Sequence, residues 1–455
     1  MPSFMIAAAH KSSGKTTISI GLSAALSGRG LRVQTFKKGP DYIDPMWLSS
    51  ASKHTCYNLD FNAMNECEIK NLYALKLQGA DISLVEANKG LYDGIDLSGI
   101  DSNAQLAKLL QLPVVLVIDT TGMTRGIAPL LLGYQAFDED INIAGVILNK
   151  VGGSRHEEKL IRAVEYYSDI TVIGAIGRNK ILDIGERHLG LVTPNENNAL
   201  SEKIAQIGRI VGGAVDLDKL QNIASNASNM ALPAIVKSEK FALGIKIGVI
   251  KDSAFGFYYA DDLEAFEKAG AKLIFIDSLQ DQELPQIDGF FIGGGFPEIY
   301  MERLSANEML RANIKKAIEN GLPTYAECGG LMYLCNAIKW GKKEFDMVGV
   351  IEAKAIMNER PQGRGYTSFE VKDNHLWGGE GQNFAAHEFH YASIEGLKPD
   401  TEFARIIKRG HGIDGQNDGI IKYNLMAGFC HLRNCEDNSW VRQFLTFVKG
   451  KTTVG

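Results

Sequence analysis

Phe4-Met5-Ile6-Ala7-Ala8-Ala9-His10-Lys11-Ser12-Ser13-Gly14-Lys15-Thr16-Thr17 reads as an apolar run, a turn of small residues and the opening of a helix. Residues 4–9 predict a strand, and the apolar periodicity of residues 17–26 predicts a helix. Small residues between them let successive backbone N–H groups converge on phosphate oxygens, and a lysine neutralises the terminal phosphates. Gly14, Lys15, Thr16 and Thr17 are therefore the expected ATP-binding residues, with Lys15 on the β- and γ-phosphates and the Thr16 hydroxyl on Mg²⁺. Ala9 stands where the full pattern has its first glycine.

Working outward, continuous β-branched runs predict strands at 32–36, 82–86, 113–119, 143–148 and 171–175, separated by helical stretches. That alternation is the signature of a parallel sheet covered on both faces. The polar stretch 221–238, containing Pro233, reads as the end of this domain and a linker. The alternation restarts at 246–251, with strands at 272–276, 289–292 and 324–326 and helices at 260–269 and 307–320. Residues 348–431 are richer in glycine and aromatics and read as more antiparallel. The fold class is α/β, with a first domain over 1–232 and a second over 244–450.

A chain of 455 residues exceeds one ordinary hydrophobic core. Hydrophobic content of 45% and charged content of 22% are those of a soluble globular protein, and a net charge of −6 gives no reason to expect nucleic acid. No apolar run approaches the roughly 18 residues that span a bilayer, so no membrane association is expected. The N-terminus runs straight into a strand without a signal-peptide pattern. Six scattered cysteines do not form a disulfide framework, which fits a cytoplasmic address. Oligomeric state is not fixed by these features, and a homodimer is compatible with them.

Carboxylates for a magnesium site normally come from the ends of neighbouring strands. The segment Lys37-Lys38-Gly39-Pro40-Asp41-Tyr42-Ile43-Asp44-Pro45 is expected as a loop bearing Asp41 and Asp44, and Glu86 ends a strand. A solvated loop carboxylate is the ordinary alternative for either acid. Asn149 ends another strand, where its amide offers a donor and an acceptor to adenine, or caps a helix. Asp119 follows an apolar strand, where it orients water or a loop.

Thr324-Tyr325-Ala326-Glu327-Cys328-Gly329-Gly330-Leu331-Met332 places a cysteine on a sharp strand-to-helix turn. Such a thiol is activated as a thiolate with space around it, whereas most lone cysteines are inert core residues. Gly293-Gly294-Gly295-Phe296-Pro297-Glu298 follows a buried strand and exposes amides for an oxyanion. The base should be a histidine. His431 is the choice, with His387 and His390 as competitors; His387-Glu388-Phe389-His390 lacks the spacing of a helical zinc site. A thiol that releases ammonia from an amide, joined to an ATP site that activates a carboxylate, describes an amide-forming ligase.

With Gly39 to Pro45, Gly90-Leu91-Tyr92-Asp93-Gly94, Arg187-His188-Leu189-Gly190-Leu191, Gly293 to Glu298, Ala326 to Leu334 and His387 to Tyr391, the chain resembles, over nearly its whole length, the glutamine-dependent cobyrinic acid a,c-diamide synthases. The resemblance implies a dethiobiotin synthetase-like ATP domain followed by a class I glutamine amidotransferase-like domain. It implies ATP and Mg²⁺ as cofactors, L-glutamine as nitrogen donor and a tetrapyrrole acetate as acceptor, through an acyl phosphate and ammonia released at Cys328. Thr16, Asp41 and Glu86 would hold Mg²⁺; Tyr42 and Asp44 would place the substrate carboxylate; Gly295 and Gly329 would supply oxyanion amides; Cys328 and His431 would be catalytic.

Several residues depart from the family pattern. His431 is followed by Leu432-Arg433 rather than by a Pro-Glu pair, which leaves the third glutaminase residue unassigned. The Lys37-Lys38 loop and the segment Arg409 to Gln416 look like the sirohaem-amidating branch, so sirohaem and cobyrinate are equally expected substrates. The rival from another class is a nucleotide-binding switch with a degenerate amidotransferase module. A glutaminase with a regulatory ATP domain is a second.

Overall fold

The computed structural model describes residues 1–187, 190–191, 200–228 and 240–452, and the chain forms two compact units, Met1–Ile235 and Val236–Gly455. His188 and Leu189 of the Arg187 to Leu191 motif, Pro233 and the expected boundary at residue 232 lie outside the described residues.

The first unit runs β1 (Ser3–Ala8), α1 (Lys15–Gly28), β2 (Val33–Lys38), α2 (Ile43–Ser52), β3 (Tyr57–Leu59), α3 (Glu66–Lys76), β4 (Ile82–Glu86), α4 (Asn103–Leu110), β5 (Val114–Asp119), α5 (Ile127–Phe137), β6 (Ile143–Val151), α6 (Ser154–Tyr167) and β7 (Thr171–Gly177). A short pair, β8 (Glu186–Arg187) and β9 (Gly190–Leu191), and helices α7 (Leu200–Ala214) and α8 (Leu217–Ser225) complete it. The seven long strands form one parallel sheet in the order β3-β2-β4-β1-β5-β6-β7. Every residue of β1 and β4 is buried, as a sheet covered on both faces requires. Helix α1 approaches α7 closely at Gly21, where a Cβ would come within 2.4 Å of Val211.

Two expectations are corrected. Lys37 and Lys38 are not loop residues but the buried last residues of β2, and Ile43 already begins α2. Residues 221–225 of the expected linker belong to α8, whose periodic Leu217, Leu220 and Ile223 are buried. Its apolar stripe outweighs the intervening polar residues.

The second unit runs β10 (Lys246–Ile250), β11 (Phe255–Phe257), α9 (Ala260–Lys268), β12 (Lys272–Ile276), β13 (Gly289–Ile292), β14 (Gly294–Gly295), α10 (Met301–Ala306), α11 (Glu308–Glu319), β15 (Thr324–Glu327) and α12 (Gly329–Leu334). There follow β16 (Cys335–Trp340), β17 (Lys343–Asp346), β18 (Ile351–Met357), β19 (Gly363–Val371), β20 (Asn383–His390), β21 (Ala392–Glu395), β22 (Glu402–Arg409), β23 (Asn417–Lys422), β24 (Leu425–Gly428) and α13 (Trp440–Thr452). The main sheet, β12-β10-β13-β15-β24-β23-β22-β19-β20, is parallel from β12 to β24 and antiparallel beyond. Phe291 and Tyr325 stack at 5.6 Å under Trp440 of α13, so one aromatic layer ties the last helix to the central strands.

Candidate active sites

The first site gathers where β1, β2 and β4 end. Gly14 adopts φ 92°, and a Cβ there would lie 2.3 Å from Asn149 Nδ2, so only glycine suits the turn. The Asn149 amide donates to the Ser13 carbonyl at 2.8 Å, and the Lys150 ammonium reaches the Ser12 carbonyl and Asp119. Asn149 and Asp119 thus brace the phosphate loop from β6 and β5. Lys15 is buried and donates to the Lys89 carbonyl; burial, then repulsion from Lys37, lowers its pKa to about 8. The Thr17 hydroxyl donates to the Leu182 carbonyl at 3.3 Å.

The Thr16 hydroxyl lies 2.7 Å from Glu86 Oε1 and 3.1 Å from Asp44 Oδ2. Lys37 sits between the same acids, 2.5 Å from Asp44 and 2.7 Å from Glu86, with Asp41 at 3.9 Å. Burial opposes the Lys37 charge, but Asp44, Glu86 and Asp41 outweigh it and hold the ammonium well above its ordinary pKa. Burial likewise opposes ionisation of Asp44, yet Lys37 holds its carboxyl below the usual range. Asp41 Oδ1 accepts from the Ile43 and Asp44 amides and fixes the start of α2, where Tyr42 is the buried preceding residue.

Asp44, expected on substrate, therefore accepts from Thr16 and lies closer to Lys37 than Asp41 does. The role of Lys37 is not legible in the sequence, because its burial depends on β2 running two residues past the expected end at residue 36. Among the described residues no trio of His, Cys, Asp and Glu forms a ready-made metal cage. Magnesium does not need one, since it takes one or two carboxylates together with phosphate oxygens and water. The residues fit it: a hydroxyl and clustered acids adjoin the phosphate loop, and Glu86 Oε2 is buried without a hydrogen-bond partner. The Gly90 to Gly94 motif lies alongside, its turn held by Asp93 on the Gly90 amide and by Asn103 on the Asn88 and Gly90 carbonyls.

The second site lies where β13, β15 and β24 end side by side. Cys328 adopts φ 49°, ψ −101° between β15 and α12, and its amide donates to the Gly428 carbonyl at 2.7 Å. This strained elbow is maintained by close packing: a Cβ on Gly330 would lie 2.3 Å from the Ile292 carbonyl oxygen. Gly329 and Gly295 adjoin, with the Gly295 nitrogen 3.0 Å from the place of a Gly329 Cβ. Gly294 lacks the Cβ that would collide with the His431 ring at 2.6 Å.

His431 is the histidine that meets Cys328. Burial disfavours its charge, but hydrogen bonds with Cys328 and Glu327 raise its pKa to about 10. His387 stacks on the His431 ring at 4.9 Å, and burial, then the His431 and Arg433 charges, hold it neutral. His390 stacks on Phe429 and bonds the Ala392 carbonyl. Glu388 accepts from the His411 and Gly412 amides, which anchors the distinctive 409–416 segment. Glu327, which sequence reading passed over, has its Oε2 3.4 Å from His431 Nδ1.

Residues 4–192 match the family model described as the CobQ/CobB/MinD/ParA nucleotide binding domain, and residues 246–439 match the CobB/CobQ-like glutamine amidotransferase domain. A cobyrinate a,c-diamide synthase of Magnetococcus marinus is 42% identical over 95% of this chain and 94% of its own length. Enzymes of the same name from Archaeoglobus fulgidus and Methanosarcina acetivorans are 40% and 39% identical, covering 98% and 95% of this chain and 97% and 92% of theirs.

Proposed function

We propose, from the premise that this chain belongs to the cobyrinate a,c-diamide synthase family, that it amidates peripheral acetate carboxylates of a sirohydrochlorin-derived tetrapyrrole, with cobyrinate as the substrate favoured by its relatives. The chain is a glutamine-dependent carbon–nitrogen ligase with a nucleotide-binding domain. The observation that carries the finer reading is the convergence of Thr16, Asp44 and Glu86 beside Lys15, in a chain that also sets Cys328 against His431.

We assign residues 1–232 to synthesis and 244–450 to glutamine hydrolysis. In the first, Lys15 and the loop amides hold the ATP phosphates. Thr16, Glu86 and the acids Asp41 and Asp44 would hold Mg²⁺, which screens phosphate charge when bound. The substrate carboxylate attacks the γ-phosphorus, ADP leaves, and an acyl phosphate forms. Tyr42 and Asp44 lie at the start of α2, where they would position that carboxylate, and Asn149 would border the adenine while bracing the loop.

In the second, the Cys328 thiolate attacks the glutamine carboxamide, and the Gly295 and Gly329 amides stabilise the oxyanion. The His431 imidazolium gives its proton to the departing ammonia, and water hydrolyses the thioester to glutamate. Ammonia displaces phosphate from the acyl phosphate to give the amide. Free thiols at all six cysteines accord with a cytoplasmic setting, and among the described residues no helix is long and apolar enough to cross a membrane.

Incubation with ATP, Mg²⁺, glutamine and either cobyrinate or sirohaem tests the assignment by mass, since each OH replaced by NH₂ lowers product mass by about one unit. Loss of mass on cobyrinate supports the reading; amidation of sirohaem alone moves it to that branch. No change with either ring refutes it. Cys328→Ala should abolish glutamine-dependent product while ammonia still supports turnover, and an unaffected variant would instead favour a nucleotide switch with a degenerate module.

A further inference from the structure

The assignment of Cys328 and His431 to glutamine hydrolysis, on which this inference rests, leaves one question of chemistry. A histidine that shuttles a proton needs its ring held in one orientation and one tautomer, usually by an acid hydrogen-bonded to the nitrogen remote from the nucleophile. Leu432 and Arg433 supply none downstream of His431.

We propose that Glu327, the residue immediately before the nucleophile, is the positioning residue of this centre, and that Tyr325 and the Leu432 amide set its carboxylate against His431. Glu327 is 3% exposed. Its Oε1 accepts from the Tyr325 hydroxyl at 2.7 Å and from the Leu432 amide at 2.8 Å. Both bonds fall on one oxygen, which leaves Oε2 aimed at His431 Nδ1, 3.4 Å away. That separation is longer than a tight hydrogen bond, as is common before substrate closes a catalytic array.

Neighbours on a strand normally point to opposite faces. Here the positive φ of Cys328 breaks the alternation, so acid and thiol reach the same ring from adjacent positions. The support extends inward: buried Arg405 lies 3.4 Å from both the Tyr325 hydroxyl and Asp418, and Asp418 accepts from the Phe429 and Cys430 amides. The backbone on each side of His431 is thus bonded to one of two buried acids. Among the described residues, the other charged or titratable groups set against this part of the centre include His387, stacked on the ring, and Arg433, which pairs with Asp261 and lies over Tyr259.

Glu327→Gln is the informative variant. An amide whose oxygen keeps the Tyr325 and Leu432 bonds turns its NH₂ toward Nδ1, which places the imidazole proton on the nitrogen that should face the thiol. Glutamine hydrolysis by the full chain should fall about 100-fold in kcat, with KM for glutamine within about threefold. Iodoacetamide alkylation of Cys328, followed by peptide mass spectrometry across pH, supplies a readout that a merely structural role would not move. The variant's alkylation profile should lie about one pH unit or more above that of the wild type.

A variant with wild-type kcat and an unshifted profile overturns the proposal. Should Glu327→Gln fail to fold, Tyr325→Phe keeps the ring and deletes the hydroxyl on Oε1; it should shift the same profile in the same direction, and an unchanged profile overturns the proposal equally. Glutamine hydrolysis that survives Cys328→Ala would defeat the assignment of the centre itself, a result distinct from both.

Discussion

Lys37→Met removes the one ammonium shared by Asp44 and Glu86 and nearly preserves side-chain volume. At 2.5 and 2.7 Å, each attraction amounts to about 6 kcal/mol at an effective dielectric constant of about 20. Desolvation of a lysine only 4% exposed offsets much of that, and removing one partner of such a buried pair leaves a net loss of about 3–5 kcal/mol. The loss should appear locally, on the strands that carry the charges. Hydrogen exchange at pH 7 should show peptides from β2 and β4 losing about 150- to 5,000-fold of their protection. Millimolar Mg²⁺ should restore more protection to the variant than it adds to the wild type, because freed carboxylates are better ligands. A variant within about fivefold of wild-type protection, with no difference in its response to Mg²⁺, would refute both the ion-pair magnitude and the designation of these acids as the metal ligands.

Gly330→Ala sets a methyl 2.3 Å from the Ile292 carbonyl oxygen, so α12 must withdraw from β13 and carry Cys328 with it; the second unit should lose about 1–3 kcal/mol in urea melts and glutaminase kcat should fall at least tenfold. His375 is held neutral, its pKa lowered to about 3 by burial and then by Arg405. The unfolded chain therefore binds the proton first, and stability falls as pH drops below about 6.5, by up to about 1.4 kcal/mol per unit toward pH 3. Urea melts at pH 7 and 5 should show a smaller pH difference in His375→Leu than in the wild type. Trp440→Phe deletes the 2.9 Å bond from the indole N–H to buried Asp262, whose pKa burial raises to about 8, and should lower the stability of the second unit by about 1–3 kcal/mol in the same assay.

Much of the architecture was legible because local and global signals agree. The strands at 82–86 and 289–292 have ends that coincide with the observed ones, since a strand buried on both faces has no alternation to misread, and the half-exposed edge strand at 272–276 was legible from its run of Leu273, Ile274, Phe275 and Ile276. Strand β3 escaped notice, being three residues long, and α8 was hidden by polar residues around its apolar stripe. At the sites, Gly14 to Thr17 and the Cys328 elbow were visible because glycine spacing is itself the signal. Glu86 beside Thr16 was expected, but its second acidic partner was not, since Asp41 and Asp44 differ by less than one helical turn in sequence and only the start of α2 selects which one meets it.

The sequence alone thus determined two α/β units, a phosphate loop and a cysteine turn, because periodicity, glycine placement and residue chemistry are properties of neighbours along the chain. Only the tertiary structure decided that Lys37 lies among the acids, that Asn149 braces the loop, that His431 rather than His387 meets Cys328, and that Glu327 faces the ring from beside the thiol. Each of those depends on parallel strands from distant segments ending at the same level, a register set by packing across the sheet and written in no single stretch of residues.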